Sequence, residues 1–150
     1  MADEERYTFS SLMSLLSEAE SKLKQLYETL TKETSEPKLK SLLSDYDTNS
    51  SRRMEMMRRT RVESVVEFML EPITGVKLAE PISAIKTTIE KQSLSSLEKA
   101  VTVERIISEL YSSASPKIMP TSADAGELLA RLSRESMERV HELEQYIKSR

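Results

Sequence analysis

Hydrophobic residues in the first third of the chain recur every three or four positions: Phe9, Leu12, Leu16, Ala19, Leu23, Leu26 and Leu30. That spacing describes one face of an α-helix. A similar face is carried by Leu39, Leu42, Leu43, Tyr46, Met54, Met57 and Phe68. A third runs through Ile82, Ile85, Ile89, Ser93, Ser96, Ala100, Val103, Ile107 and Leu110, and a fourth through Leu129, Leu132, Ser136, Val140, Leu143 and Ile147. Proline breaks interior helical hydrogen bonding, and the 5 prolines, Pro37, Pro72, Pro81, Pro116 and Pro120, sit at the joints between these windows. The pattern predicts four helices over about 8–33, 38–70, 82–112 and 122–148, the last capped by Thr121 or Ser122.

The faces are interrupted by polar residues at mid-height. Ser50 and Arg53 stand in the middle of the second face, and Ser136 and Arg139 belong to the fourth. Glu20 lies at the edge of the first face, roughly 75° from its centre at about 100° per residue. On the third helix Glu90 lies at one edge and Glu104 nearer the centre. Two stretches therefore read as one helical hairpin written twice, each with a glutamate followed by Ser-x-x-Arg. A slide of 70 puts Glu20 on Glu90, and a slide of 86 puts Leu43 on Leu129, Ser50 on Ser136 and Arg53 on Arg139.

The joints set the expected topology. Lys32 to Pro37 is short, which makes the first two helices antiparallel neighbours. Glu71 to Pro81 is longer and, extended, reaches roughly 30 Å, enough for a crossover along the bundle between helices 2 and 3. Ser112 to Thr121 joins the last two helices. The expected architecture is a single all-α domain over residues 1–150, a four-helix bundle with one long crossover, which is the ferritin-like arrangement.

Composition narrows the chemistry. The 150 residues contain 0 cysteines, which excludes disulfides, thiolate metal sites and thiol nucleophiles. With only 2 glycines, Gly75 and Gly126, there is no glycine-rich phosphate loop. No stretch approaches about eighteen consecutive apolar residues, and the acidic start Met1 to Arg6 precedes no signal-like apolar run, so the expected setting is cytoplasmic without a membrane. A net charge of −3 gives no global reason to expect nucleic acid. The arginine run from Arg52 to Arg61, with Arg52, Arg58 and Arg59 on its solvent side, lacks the interleaved aromatics that stack on bases, and nucleic acid is not expected as a partner.

The segment Ser17-Glu18-Ala19-Glu20 through Leu26-Tyr27, followed by Pro37-Lys38-Leu39-Lys40-Ser41-Leu42-Leu43, resembles the first hairpin of rubrerythrins in the ferritin-like superfamily. The resemblance implies an inward glutamate seven residues before an aromatic, as Glu20 precedes Tyr27, then Glu-x-x-His on the second helix. In that family these ligands hold two irons that handle peroxide, oxygen or stored iron. Here the matching positions are Ser50/Arg53 and Ser136/Arg139. Serine is a poor iron ligand, and a guanidinium stays protonated and cannot coordinate. The expectation is therefore no metal cofactor, with an interior polar network of Glu20, Ser50, Arg53, Glu90, Ser136 and Arg139. The protein would be a non-catalytic structural or interaction protein, a homo-oligomer and first of all a dimer.

One rival set exists. Glu138-x-x-His141 is a literal Glu-x-x-His containing the only histidine of the chain. On a regular helix Glu138 falls about opposite the Leu129/Leu132/Leu143 face and His141 lies well off it. A local π-bulge would turn both inward. Glu20, Glu90, Glu138 and His141 would then hold a single iron or manganese, and the chain would be a metal-dependent oxidoreductase or an iron-handling protein.

Overall fold

A computed structural model of the chain describes residues 5–63 and 70–149. Among these the regular structure is helical apart from one two-stranded ribbon. Helix α1 spans Phe9–Glu33, α2 Pro37–Glu63, α3 Ala79–Glu90, α4 Ser96–Ile118 and α5 Ala123–Lys148. Strand β1, Tyr7–Thr8, pairs antiparallel with β2, Pro72–Ile73. The end of the second window, 64–69, including Phe68, lies outside the described residues.

Local chemistry sets the helix ends. Thr8 caps α1: its hydroxyl accepts from the Ser11 N–H at 3.1 Å, and the Ser11 hydroxyl accepts from the Thr8 N–H at 2.9 Å, a reciprocal box that satisfies two otherwise unpaired donors. Pro37 opens α2, where a missing N–H costs nothing. Ser122 caps α5 through the Ala125 N–H at 3.2 Å. Gly75, at φ 80°, supplies the left-handed residue between β2 and α3.

The third predicted helix is two. The chain leaves α3 at Glu90, and α4 begins anew at Ser96 under a Ser95 cap, whose hydroxyl accepts from the Glu98 N–H at 3.2 Å. The joint before α5 is also shorter than expected. Pro116 lies inside α4, near its C-terminal end, where Ser112, four residues earlier, is exposed and its carbonyl can turn to solvent. The helix runs on to Ile118.

Helix α1 packs along α2, α4 along α5, α1 against α4 and α2 against α5. Each of these pairs is antiparallel, as side-chain contacts show: Lys24 with Asp47 and Glu20 with Ser50, Ser108 with Ser133 and Ser115 with Gly126, Tyr27 with Glu104 and Tyr111 with Glu20, Arg53 with Ser136 and Tyr46 with Glu142. Helix α3 packs on α4. The enclosed core joins Phe9, Leu16, Leu23, Leu43, Ile107 and Leu129, among others, in one cluster. No described helix is long and apolar enough to cross a membrane.

Candidate functional site

Four side chains from four helices meet at the centre of this core, and all carry charge. Glu20 (α1), Arg53 (α2) and Glu104 (α4) are 0% exposed, and Arg139 (α5) is 3% exposed. Each is carried inward because it falls in the helical period of its apolar neighbours: Glu20 between Leu16 and Leu23, Arg53 between Tyr46 and Met57, Glu104 between Ala100 and Ile107, Arg139 between Leu132 and Leu143.

The geometry is a crossed pair of ion pairs. Arg53 Nη1 lies 3.3 Å from Glu20 Oε1 and 3.7 Å from Glu104 Oε2. Arg139 Nη1 lies 3.1 Å from Glu104 Oε1 and 3.9 Å from Glu20 Oε2. Hydroxyls complete the network. Ser50 donates to Glu20 at 2.6 Å, Tyr111 donates to Glu20 at 2.6 Å, and Tyr27 donates to Glu104. Arg53 donates to the Ser136 hydroxyl at 2.8 Å and Arg139 to the Ser50 hydroxyl at 3.2 Å. Arg139 also stands over the rings of Tyr46, at 5.1 Å, and Tyr27, at 5.7 Å, a favourable setting for a desolvated cation.

The arrangement repeats itself. Glu20 and Tyr27 stand seven apart on α1, as Glu104 and Tyr111 do on α4, and each tyrosine donates to the other helix's glutamate. Each arginine likewise donates to the serine of the other Ser-x-x-Arg. The two hairpins α1–α2 and α4–α5 thus present the same residues to each other across an approximate two-fold relation.

Charge and burial act together here. Burial pushes both Tyr27 and Tyr111 well above the ordinary phenol value, and Glu104 beside Tyr27 and Glu20 beside Tyr111 push further in the same direction. Burial opposes the charge on Arg139, but Glu104 and Glu20 outweigh it and hold the guanidinium more firmly protonated than usual. Two carboxylates and two guanidiniums sum to zero charge. Among the described residues Arg53 Nε and Nη2, Arg139 Nη2 and Glu104 Oε2 have no hydrogen-bond partner.

Glu20, Ser50, Arg53, Ser136 and Arg139 come together in this core. Glu90 does not. It is exposed at the last residue of α3, because the chain breaks at Lys91 to Ser95, and Glu104 occupies the place expected for it. The spacing that relates the two glutamates is 84 rather than 70, close to the 86 that relates the two Ser-x-x-Arg motifs. The signals were the repeated Glu-x6-Tyr at Glu104 and Tyr111, and Ser95-x-x-Glu98, which marks a helix start. The rival set is dispersed: Glu90, Glu138 and His141 are exposed while Glu20 is buried. Among the described residues no group of three or more His, Cys, Asp or Glu is placed to hold a metal ion.

Arginine and hydroxyl donors together surround both carboxylates, and the tyrosines stay neutral. Comparison with protein-family models, curated proteins and solved structures finds no match to this chain.

Proposed function

We propose that the chain is a non-catalytic, ferritin-like four-helix bundle, a cytoplasmic structural or interaction protein that assembles as a homo-oligomer. In this reading interior Glu–Arg pairs occupy the level at which rubrerythrins hold two irons. The observation that carries it is the burial of Arg53 and Arg139 against Glu20 and Glu104. A di-iron bundle needs about four carboxylates and two imidazoles projecting inward from four helices. Here one carboxylate from α1 and one from α4 point inward, and each is paired with guanidiniums and hydroxyls.

The ferritin-like connectivity is supported by the antiparallel neighbours. Helices α2 and α4 then run parallel, which calls for a connection that returns along the bundle. The stretch containing β2 and α3 lies between them in sequence. The role of the network is register. Buried ion pairs seldom add net stability over well-packed apolar residues, but they penalise every arrangement that separates the partners.

The test is metal analysis of protein purified without chelator. Iron and manganese well below one per chain are expected, unchanged by His141→Ala. Stoichiometric metal that disappears in His141→Ala would overturn the proposal.

A further inference from the structure

The outer face of α5 carries a charge pattern that the core does not use. Asp124, Glu127, Arg131 and Arg134 are spaced three, four and three residues apart, which lines them up in one stripe. All four are exposed, and among the described residues none closes an ion pair within the chain. Arg131 only reaches Met56, its Nη2 lying 3.4 Å from the sulfur. These four run from acidic near the start of α5 to basic further on. Reversing the direction of the stripe about a point between Glu127 and Arg131 exchanges acid for base. Exposed Glu138 follows one turn beyond Arg134, and under that reversal its counterpart is Pro120, before α5 begins.

The stripe forms one wall of an open groove of about 670 Å³ between α2 and α5, with Met56, Met119 and Leu128 among its apolar lining and Arg59, paired with Glu55, on the α2 side. Met119 is 37% exposed, a large side chain left in reach of solvent. A polyanion would meet Asp124 and Glu127 along half of this surface, and a basic partner would meet Arg131 and Arg134 along the other half. Only a partner with the reversed order matches all four charges, and the chain itself has that order.

We propose that this face of α5 is an isologous dimer interface whose occupant is a second copy of the chain. The two α5 helices cross antiparallel on a two-fold axis. Asp124 then faces Arg134 and Glu127 faces Arg131 of the other copy, each twice, and the methionine-lined grooves flank the contact. This names the surface by which the interaction protein proposed above assembles, and it rests on that reading. The two fail distinguishably: a dimer indifferent to charge reversal on α5 overturns this surface alone, a monomer overturns the assembly as well, and stoichiometric metal overturns the reading of the core.

Sedimentation velocity of the full chain over a concentration series, at low and high sodium chloride, provides the test. A dimer is expected that weakens as salt rises. Glu127→Arg alone and Arg131→Glu alone should each raise the dissociation constant by roughly tenfold or more, because each puts like charges together twice. The combined Glu127→Arg/Arg131→Glu chain should recover the dimer, since the pair is merely exchanged. Asp124→Lys and Arg134→Glu give the same reading at the outer pair should a central variant fail to fold. A chain that stays monomeric at about 100 µM, a dimer indifferent to both single reversals, or a combined variant that stays as weak as either single one overturns the proposal.

Discussion

At the scale of the residue, the two buried tyrosines give the core a pH limit. Tyr27 and Tyr111 ionise well above the ordinary value of 10.0 in the folded chain, because burial and a neighbouring glutamate both resist a second negative charge. In the unfolded chain they ionise near the ordinary value. A folded-state value above the unfolded one means that their stabilising effect is fully present below about pH 10 and is lost as pH rises further. Each tyrosine then adds a slope of about −1.4 kcal/mol per pH unit. Urea unfolding between pH 8 and 11 should show this alkaline fall, shallower in Tyr27→Phe and in Tyr111→Phe. Each variant should also start about 1–3 kcal/mol lower at neutral pH, because a buried carboxylate loses a donor. Variants that keep the wild-type slope would show that these hydroxyls do not set the limit. The inward placement of Arg53 and Arg139 follows from helical period alone. That of Glu104 depends on where its helix starts, which is an element-scale question.

At the scale of the element, periodicity is a good guide where a helix is amphipathic and bounded by strong signals, and α1 and α5 follow the expected windows within a residue. It fails at Lys91 to Ser95, where neither proline nor glycine marks the break and the apolar spacing runs on through Ser93 and Ser96. A serine can continue a helix or cap one, and here the Glu98 N–H decides for the cap. Pro116 misleads in the other direction, since a proline near a helix C-terminus costs little when the carbonyl it crowds is solvated. The turn from α4 to α5 is held by close approach. A Cβ on Gly126 would lie 2.9 Å from the Met119 sulfur and 3.0 Å from its Cα, and the Gly126 carbonyl accepts from Ser115 at 2.7 Å. The methionine sulfur can move, but the backbone cannot do so without shifting the turn. Gly126→Ala should therefore cost about 1–3 kcal/mol despite alanine's better helix propensity. A thermal melt equal to or above wild type would show that the turn is slack.

At the scale of the whole molecule, the network makes the two hairpins depend on each other. Arg53 serves Glu20 in its own hairpin and Glu104 and Ser136 in the other. Arg53→Leu should lower the stability of the entire chain by about 3–5 kcal/mol, in a single unfolding transition, because it leaves buried carboxylates uncompensated on both sides. A loss under about 1 kcal/mol would mean that the pairs are not coupled across the core. The all-helical class was legible from proline placement and periodicity. The two-fold exchange was not, because hydrogen bonds between hairpins leave no trace in the spacing within either one. The exchange also bears on how the chain is made. A ribosome delivers α1 and α2 first, and that half emerges with Glu20 lacking Tyr111, Tyr27 lacking Glu104 and Arg53 lacking Ser136. Every one of those partners is still to be translated. The first hairpin can gather its leucines during synthesis, but its charged centre stays open to water until α4 and α5 arrive with the matching set.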